Sequence, residues 1–388
     1  MKMEQVYQIL NTVTQEVLGE SVVVQEDLSN VVDVGQAFAS LRDGLDNYVR
    51  TLNDHIGRMV FVDRIYRGRA PSLVMDGWEY GSIMEKVRAE LPEAEENESW
   101  NLTDRASYDP NVFYKPQVSV KFYDQRVTFD VPMSFTSKQV MSAFSNPTQL
   151  NSFFSMIRTA IENTITIKMD ALIMRTITTG IAEVLYDQYS GSGYNAGSGV
   201  RAINLLYLYN NGGGGNSLTK AAALYDAGFL RFASRMIKLT ASRMGTISTL
   251  FNVGGTEKFT PTDRLHAVFL EDFRSSAEVY LYDGAGQFKD EFLRLPNADS
   301  VPYWQGSGTD FSFGATSKIY VDTPSSHTVQ LDGILGVMFD RDAMGVSNLD
   351  RRVTTQYNAK AEFWNEFHKY DAGHFLDLDE NIVVFFIQ

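Results

Sequence analysis

Apolar side chains recur at helical spacing in two stretches near the start of the chain. Between Glu4 and Leu18 they share one helical face, and a longer series begins after Asp33, a suitable N-cap, and ends at Gly57. The pattern predicts two amphipathic helices, which either pack on the body of the protein or form an arm that reaches a neighbour. The apolar positions are Val6, Leu10, Val13 and Val17, then Val34, Phe38, Leu41, Leu45, Tyr48, Leu52 and Ile56.

After the two predicted helices, apolar residues alternate with polar ones at the spacing of β-strands. Residues 59–66 predict a strand, and 83–91 alternate as in an extended ribbon, although a helix remains an open alternative there. The acidic residues of 93–98 show no apolar period, so we expect a solvated tip.

Strict alternation returns between Gln117 and Met133. Apolar residues occupy every second position of 118–122 and again of 127–131, which predicts paired or sharply bent strands. Together, 68–135 predict a long and partly exposed β excursion with too little core of its own, so we expect a partner surface to complete it.

The strongest helical signal opens at Asn146 and Pro147, an N-cap followed by a proline in the first turn. Apolar residues continue at helical spacing to about Tyr189, which predicts a helix about 60 Å long. Such a helix is longer than a domain of this size needs, so we expect it to act as a structural spine. Gly180 is a candidate bend.

The second half of the chain mixes helices and strands and predicts an α+β fold. Two glycine-rich breaks, at 191–199 and 212–215, mark a domain boundary, and 218–244 predict a helix. Strands are predicted at 266–270, 311–321, 334–339, 352–358 and 381–387. The last of these is so apolar that we expect it inside a sheet.

Composition narrows the function classes. The chain has 388 residues, of which 44% are apolar, enough for a large core. It has no cysteine, which excludes disulfides, thiolate nucleophiles and cysteine-ligated metals. No signal peptide or membrane span is predicted. The net charge of −14 disfavours a dedicated DNA-binding protein but is compatible with the lining of a DNA container.

Candidate chemistry is weak throughout. The glycine pairs at 191–193 and 284–286 lack the remaining residues of a nucleotide loop and are interpreted as turns. A metal site would have to gather His374, Asp377 and Asp379, but that segment is also typical of a turn before the last strand, which we favour.

The sequence also gives no specific pattern for a hydrolytic site. No nucleophile elbow is present, and 48 acidic residues make any choice of a carboxylate pair arbitrary. Arg351 and Arg352 are too isolated for a DNA groove, although each is a candidate for an ion pair between subunits. We therefore predict no catalytic residue, no cofactor and no metal.

The element order resembles the Hong Kong 97-like major capsid fold of tailed bacteriophages over nearly the whole chain. Local support comes from Glu90–Trp100 (ELPEAEENESW), Tyr108–Tyr114 (YDPNVFY) and Gly333–Ala343 (GILGVMFDRDA), which are similar to segments of phage major head proteins. The resemblance implies the following parts: 1–67, N-terminal arm and start of the P domain; 68–135, E-loop; 136–189, P domain with the spine helix; 190–345, A domain; 346–388, return to the P domain.

The same resemblance implies a function. Such subunits form the hexamers and pentamers of an icosahedral shell around double-stranded DNA, and their arms and E-loops overlap neighbours. The expected partners are copies of the chain, a separate scaffolding protein, a portal, decoration or head-to-tail proteins and DNA by non-specific contact, but no membrane. The expected location is the virion capsid, assembled in the host bacterial cytoplasm.

Two further expectations concern maturation. Shells of this family expand, and Gly68, Gly77, Gly180 or the glycine loops are candidate hinges. Some relatives form a Lys–Asn isopeptide bond, for which Lys86, Lys115 and Lys121 are candidate donors without an identified Asn partner.

The sequence leaves two alternative functions open. One is an encapsulin-like compartment shell, which shares the fold but loads enzymes. The other is a hydrolase that uses His374 with nearby carboxylates.

Overall fold

The computed structural model describes most of the chain from residue 84 onwards. The described residues are 11, 14, 70, 73–75, 84–89, 91, 92, 94, 99, 102–108, 111, 113–136, 147–212, 217–280, 295, 297–305 and 310–388. Of the predicted helix at 4–18 they include only Asn11 and Thr14, both helical. The predicted helix after Asp33, the strand at 59–66, the acidic residues of 93–98, and Gly68, Gly77, Gly284 and Gly286 lie outside them.

The described residues form strands and helices in alternation. The strands are β1 (Val74–Met75), β2 (Met84–Ala89), β3 (Val118–Tyr123), β4 (Arg126–Thr136), β5 (Ala202–Asn204), β6 (Leu265–Leu270), β7 (Asn297–Val301), β8 (Ile319–Asp322), β9 (Thr328–Leu331), β10 (Ile334–Asp340), β11 (Met344–Asn358), β12 (Phe363–Leu376) and β13 (Ile382–Phe386). The helices are α1 (Pro147–Tyr189), α2 (Leu205–Asn211), α3 (Lys220–Ala223), α4 (Ala227–Met244), α5 (Glu271–Tyr280) and α6 (Phe313–Thr316).

The predicted spine helix is confirmed. Helix α1 begins at Pro147 and runs for 43 residues, which corresponds to about 65 Å. Its C-terminal half is buried on nearly all sides, and Thr176 and Thr178 satisfy their hydroxyls within the helix by donating to the carbonyls of Leu172 and Met174 at 2.9 Å. The helix continues through Gly180, where an added Cβ would lie 2.9 Å from the Met344 side chain. A packing role for this glycine is therefore visible.

A four-stranded sheet packs against the spine. Its order is β1-β11-β12-β4, and β11 and β12 form a long antiparallel hairpin with a bulge between Asn348 and Asp350. Strand β4 pairs antiparallel with β12 over its whole length, from Arg126 opposite Gly373 to Thr136 opposite Phe363. The return limb of the predicted β excursion thus belongs to a sheet of the protein body.

A five-stranded sheet, ordered β5-β13-β10-β6-β7, separates two apolar cores. Along β13, Ile382, Val384 and Phe386 pack into the core shared with α1. The alternate residues Val383 and Phe385 pack into a second core with α2, α4 and α5. Because both faces are covered, every residue of β13 is buried, which confirms that this strand lies inside a sheet.

Other predictions are confirmed or corrected element by element. The strands predicted at 266–270, 334–339 and 352–358 correspond to β6, β10 and part of β11, and 83–91 contains a strand, not a helix. The helix predicted at 218–244 is wrong as a single helix, because Asp226 accepts from the Phe229 backbone N–H at 2.6 Å and caps a new helix, α4. The strand predicted at 311–321 is also wrong in its first half, which forms α6 behind Ser312.

The glycine break at 191–199 is confirmed as a turn region. Gly191 and Gly193 have φ values of +76° and +75°, a conformation that favours glycine. Among the described helices, none is both long enough and apolar enough to cross a membrane.

Candidate functional site

The strands β2 and β3 form a two-stranded ribbon that joins neither large sheet. They pair antiparallel, with Lys86 opposite Lys121 and Val87 opposite Val120. Strand β3 does not pair with β4, so the bend between 118–122 and 127–131 sends consecutive strands into different sheets. Of the two alternatives left open by the sequence, the sharp bend is the correct one.

One face of the ribbon carries cations. Lys86 and Lys121 lie directly opposite each other, and Arg88 follows on the same side. Like charges at opposite positions of a strand pair destabilise it. This face therefore requires carboxylates from elsewhere in the protein.

The carboxylates come from the turn between β12 and β13, about 290 residues away in sequence. Asp377 Oδ2 is 2.8 Å from Lys86 Nζ and 2.6 Å from Arg88 Nη2, and its Oδ1 accepts from Lys121 Nζ at 3.1 Å. Asp377 therefore bridges the two opposed lysines. We call the set of Lys86, Arg88, Lys121, Asp377, Asp379 and Glu380 the ribbon ion cluster.

The two remaining acids complete the ribbon ion cluster. Glu380 Oε1 lies 2.8 Å from Lys86 Nζ and 2.5 Å from Arg88 Nη2, and Asp379 pairs with Arg88 at 3.3 Å and with Lys121. Lys86 also donates to the Asp342 carbonyl at 3.0 Å. The ribbon is thus attached to the body through several contacts at once.

Electrostatics in the ribbon ion cluster follow from burial. The side chain of Asp377 is 0% exposed, which would raise its pKa, but hydrogen bonds and charges from Lys86, Lys121 and Arg88 lower the pKa to about 2. Burial and the charge of Asp377 raise the pKa of the Tyr123 phenol. Burial lowers the pKa of Lys121, but its bonds to Asp379 and Asp377 outweigh that effect and raise it. Asp377 and Lys121 are accordingly both charged at neutral pH.

The opposite face of the ribbon is apolar and exposed. Val87 is 60% exposed and lies opposite Val120, and Phe122, 65% exposed, and Val118 flank Val120 along β3 on the same face. Glu85, opposite Phe122, is the one charged residue on this face. Strands with one buried face normally bury the apolar side and expose the polar side. This ribbon does the reverse, which leaves an apolar surface ready for a partner.

The metal interpretation of His374 gains no support. In the part of the chain that the structure describes, no three His, Asp or Glu side chains are grouped as a metal site requires. Asp377 and Asp379 bind ribbon cations, while His374 lies on β12 and lines an open cleft with Arg175. Burial and the nearby Arg175 lower the pKa of His374.

The other candidate residues lie in contrasting places. Lys86 and Lys121 are engaged in the ribbon ion cluster, whereas Lys115 is exposed on the segment before β3. Arg351 pairs with Glu162 of α1 at 3.5 Å and Arg352 with Asp371 at 2.9 Å, so both make ion pairs within the chain.

The sequence-based predictions missed the roles of Arg88 and Glu380. A signal for Arg88 was present, because cations alternate with apolar residues in Lys86-Val87-Arg88 and in Val120-Lys121-Phe122. An exposed strand with this alternation has one charged and one apolar face. The acids at 377–380 carried no comparable local signal.

One family model and two solved structures are similar to the chain. A family model described as Phi29-like phage major capsid protein matches residues 10–386. A capsid structure of Staphylococcus phage Andhra is similar at 10% identity and a TM-score of 0.53, over 84% of this chain and 86% of that chain. A capsid structure of cyanophage P-SCSP1u is matched at 11% identity and a TM-score of 0.46, over 84% and 88%.

The likeness to the Andhra capsid structure shows a phage capsid fold of mixed helices and strands, which agrees with the predicted α+β class. No curated protein matches the chain. Neither the compartment-shell alternative nor the hydrolase alternative is supported by any of these matches.

Proposed function

Because the chain belongs to the Phi29-like phage major capsid protein family and is a structural protein of a phage shell, we propose that it assembles into hexamers and pentamers of an icosahedral shell around double-stranded DNA. The apolar face of the β2–β3 ribbon is proposed as a contact with the neighbouring subunit. The observation that carries this proposal is the inverted polarity of the ribbon, with its three cations turned inward and Val87 and Phe122 exposed.

A second copy of the chain is the proposed occupant of this face. Fully burying one Val or Phe side chain contributes roughly 1.5–3 kcal/mol, so four such residues supply a substantial part of an interface. The ribbon ion cluster holds the face outward, which avoids the ordering cost that a loose loop would have on binding. In a shell, each copy both presents a ribbon and receives one, which is the arrangement of a repeating assembly.

The Hong Kong 97-like subdivision is also part of the proposal. It assigns 1–67 to the arm, 68–135 to the E-loop, 136–189 and 346–388 to the P domain and 190–345 to the A domain. The isolated ribbon, the long α1 and the five-stranded sheet support this division. Strand β4 extends the E-loop range into the sheet of β11 and β12, and β13 brings the tail into the sheet of β10.

The wider setting follows from the same proposal. A separate scaffolding protein, a portal, and decoration or head-to-tail proteins are its proposed protein partners, and the host bacterial cytoplasm is the proposed place of assembly. Expressing the chain with and without its neighbouring genes and examining the products by electron microscopy tests this setting. Compact monomers under every condition would refute the shell.

The ribbon contact is tested by placing charges on its apolar face. We expect the Val120→Asp/Phe122→Asp variant to remain folded by circular dichroism but to yield free subunits instead of shells. The matched control is Ile247→Asp/Leu250→Asp, which places the same two charges at aliphatic residues that are 53% and 55% exposed in the segment after α4. Normal shells from the ribbon variant contradict the proposed contact.

A further inference from the structure

Helix α4 presents an exposed face whose charges are all positive. The helix spans Ala227–Met244 and contains no acidic residue, although the chain has 48 acidic and 34 basic residues. Its exposed residues are Gly228, Arg231, Arg235, Lys238, Ser242 and Arg243. A solvated helix face needs polar residues but not a single sign of charge. Helices α1 and α5, by contrast, each carry both signs, for example Arg274 and Glu278 in α5.

The cations form a stripe opposite the core-facing side. At 3.6 residues per turn, Arg231, Arg235 and Lys238 lie within about 60° of one another around the helix axis and span about 10 Å along it. The buried side, which includes Phe229, Ala233 and Ile237, packs on the five-stranded sheet. The stripe therefore follows from the helical spacing of its three residues.

The stripe cations have no ion-pair partner among the residues that the structure describes. The basic residues Lys220 and Arg264, which flank α4 in sequence, are by contrast paired with Asp332 and Asp342. In a chain of net charge −14, acids to pair with the stripe are plentiful. Their absence from α4 leaves a local positive field directed outward.

We propose that the exposed face of α4 is a contact surface for the phosphate backbone of double-stranded DNA. The inference rests on the proposed function, since it names the surface that faces the enclosed DNA. The three side chains of the stripe carry hydrogen-bond donors and positive charge and no acceptors. Contacts with phosphate oxygens require both properties. Protein interfaces are anchored by aromatic or other apolar residues, and the exposed face of α4 has none.

The overall acidity of the chain is consistent with this local attraction. Three cations per subunit bind DNA weakly, but many copies in one shell act together on one polymer. Weak contacts at each subunit leave the DNA free to move, whereas a strongly basic lining would hold it in place.

The test compares two variants that each remove three positive charges. One is Arg231→Gln/Arg235→Gln/Lys238→Gln, and the control is Lys168→Gln/Lys318→Gln/Lys360→Gln, which alters exposed lysines outside α4. Binding of a short labelled DNA duplex to the unassembled full-length chain is measured by fluorescence anisotropy over a series of salt concentrations. Circular dichroism verifies folding, and electron microscopy scores shell formation separately.

We expect the α4 variant to lower the slope of log K against log salt by about 2.7, because each lost phosphate contact contributes about 0.9. Raising the salt from about 0.05 M to about 0.2 M then weakens the wild type about 40-fold more than the variant. The control retains the wild-type slope.

Three results would overturn the inference: no DNA binding by the wild type even at the lowest salt concentration of the series, equal loss in both variants, or normal DNA binding by an α4 variant that no longer forms shells. The last result identifies α4 as a protein contact. Failure of the proposed function shows itself differently, as absence of shells from the wild type whatever the DNA measurement gives.

Discussion

The β2–β3 ribbon and strand β13 are both rich in apolar residues, but they reach opposite environments. Strand β13 lies between β5 and β10, and all five of its residues are buried within the chain. The ribbon turns its lysines and Arg88 toward the body and leaves Val87 and Phe122 in solvent. The difference separates apolar residues that fold the subunit from apolar residues that are available to assemble it.

The largest expected effect on stability comes from deleting an aromatic ring of β13, compared with deleting one on the ribbon. Phe385 is fully buried, so Phe385→Ala should lower the free energy of unfolding by about 3–5 kcal/mol. Phe122→Ala at the exposed ribbon face should change it by no more than about 0.5 kcal/mol while reducing shell yield. Denaturant unfolding of the subunit and electron microscopy measure the two effects. Equal destabilisation by both variants would remove the distinction between the regions.

The next effect concerns the attachment of the ribbon. Asp377→Asn removes the buried carboxylate that Lys86, Arg88 and Lys121 share. Because Glu380 and Asp379 still compensate these cations, we expect a cost of about 2–3 kcal/mol, below the roughly 3–5 kcal/mol of a buried charge left without any partner. We expect faster hydrogen exchange in β2 and β3, with little change in β13.

The control for this variant is Asp350→Asn. Asp350 pairs with Arg352 where both side chains are about half exposed, and such surface pairs contribute about 0–1 kcal/mol. Unchanged exchange in the ribbon of the Asp377→Asn variant would show that the ribbon ion cluster does not hold it.

The contrast between the regions also explains what the sequence could predict. Strand β13 was predictable because an uninterrupted apolar run admits few structures other than a buried strand. Strand β12 was not predicted, because its buried face includes Glu366 and His368, which form a hydrogen-bonded pair at 3.2 Å and disguise the alternation. Local periodicity does not reveal polar groups that are buried in pairs.

The attachment of the ribbon was beyond local patterns for another reason. Lys86 and Asp377 are 291 positions apart, and only the fold brings them together. Both residues were noted in the sequence, but as candidates for an isopeptide bond and a metal site. The exposed β excursion was anticipated from its alternation, whereas the identity of the face that points outward depends on the acids at 377–380.

Acid below about pH 4 should weaken the attachment of the ribbon. The pKa of Asp377 is lowered to about 2 from an ordinary value of 3.8, so its stabilisation is present above about pH 4 and is lost as the pH falls toward 2. A shift of this size corresponds to about 2–3 kcal/mol. Hydrogen exchange of β2 and β3 between pH 5 and pH 2, corrected for intrinsic rates, measures the loss. In Asp377→Asn, this pH dependence should be smaller, because only Asp379 and Glu380 remain to be protonated in the ribbon ion cluster.

The smallest expected effect is on the pH dependence of stability and comes from His266 in the five-stranded sheet. His266 is buried on β6 beside Phe339, and burial together with Arg341 lowers its pKa. A lowered histidine pKa means that the unfolded chain binds the proton more readily, so stability falls as the pH drops below about 6.5, by at most about 1.4 kcal/mol per pH unit. We expect His266→Leu to flatten the pH dependence of the denaturation midpoint between pH 6.5 and 5 by about one proton. An unchanged slope in this variant would assign the titration to another group, with His374, whose pKa burial also lowers, as the next to replace.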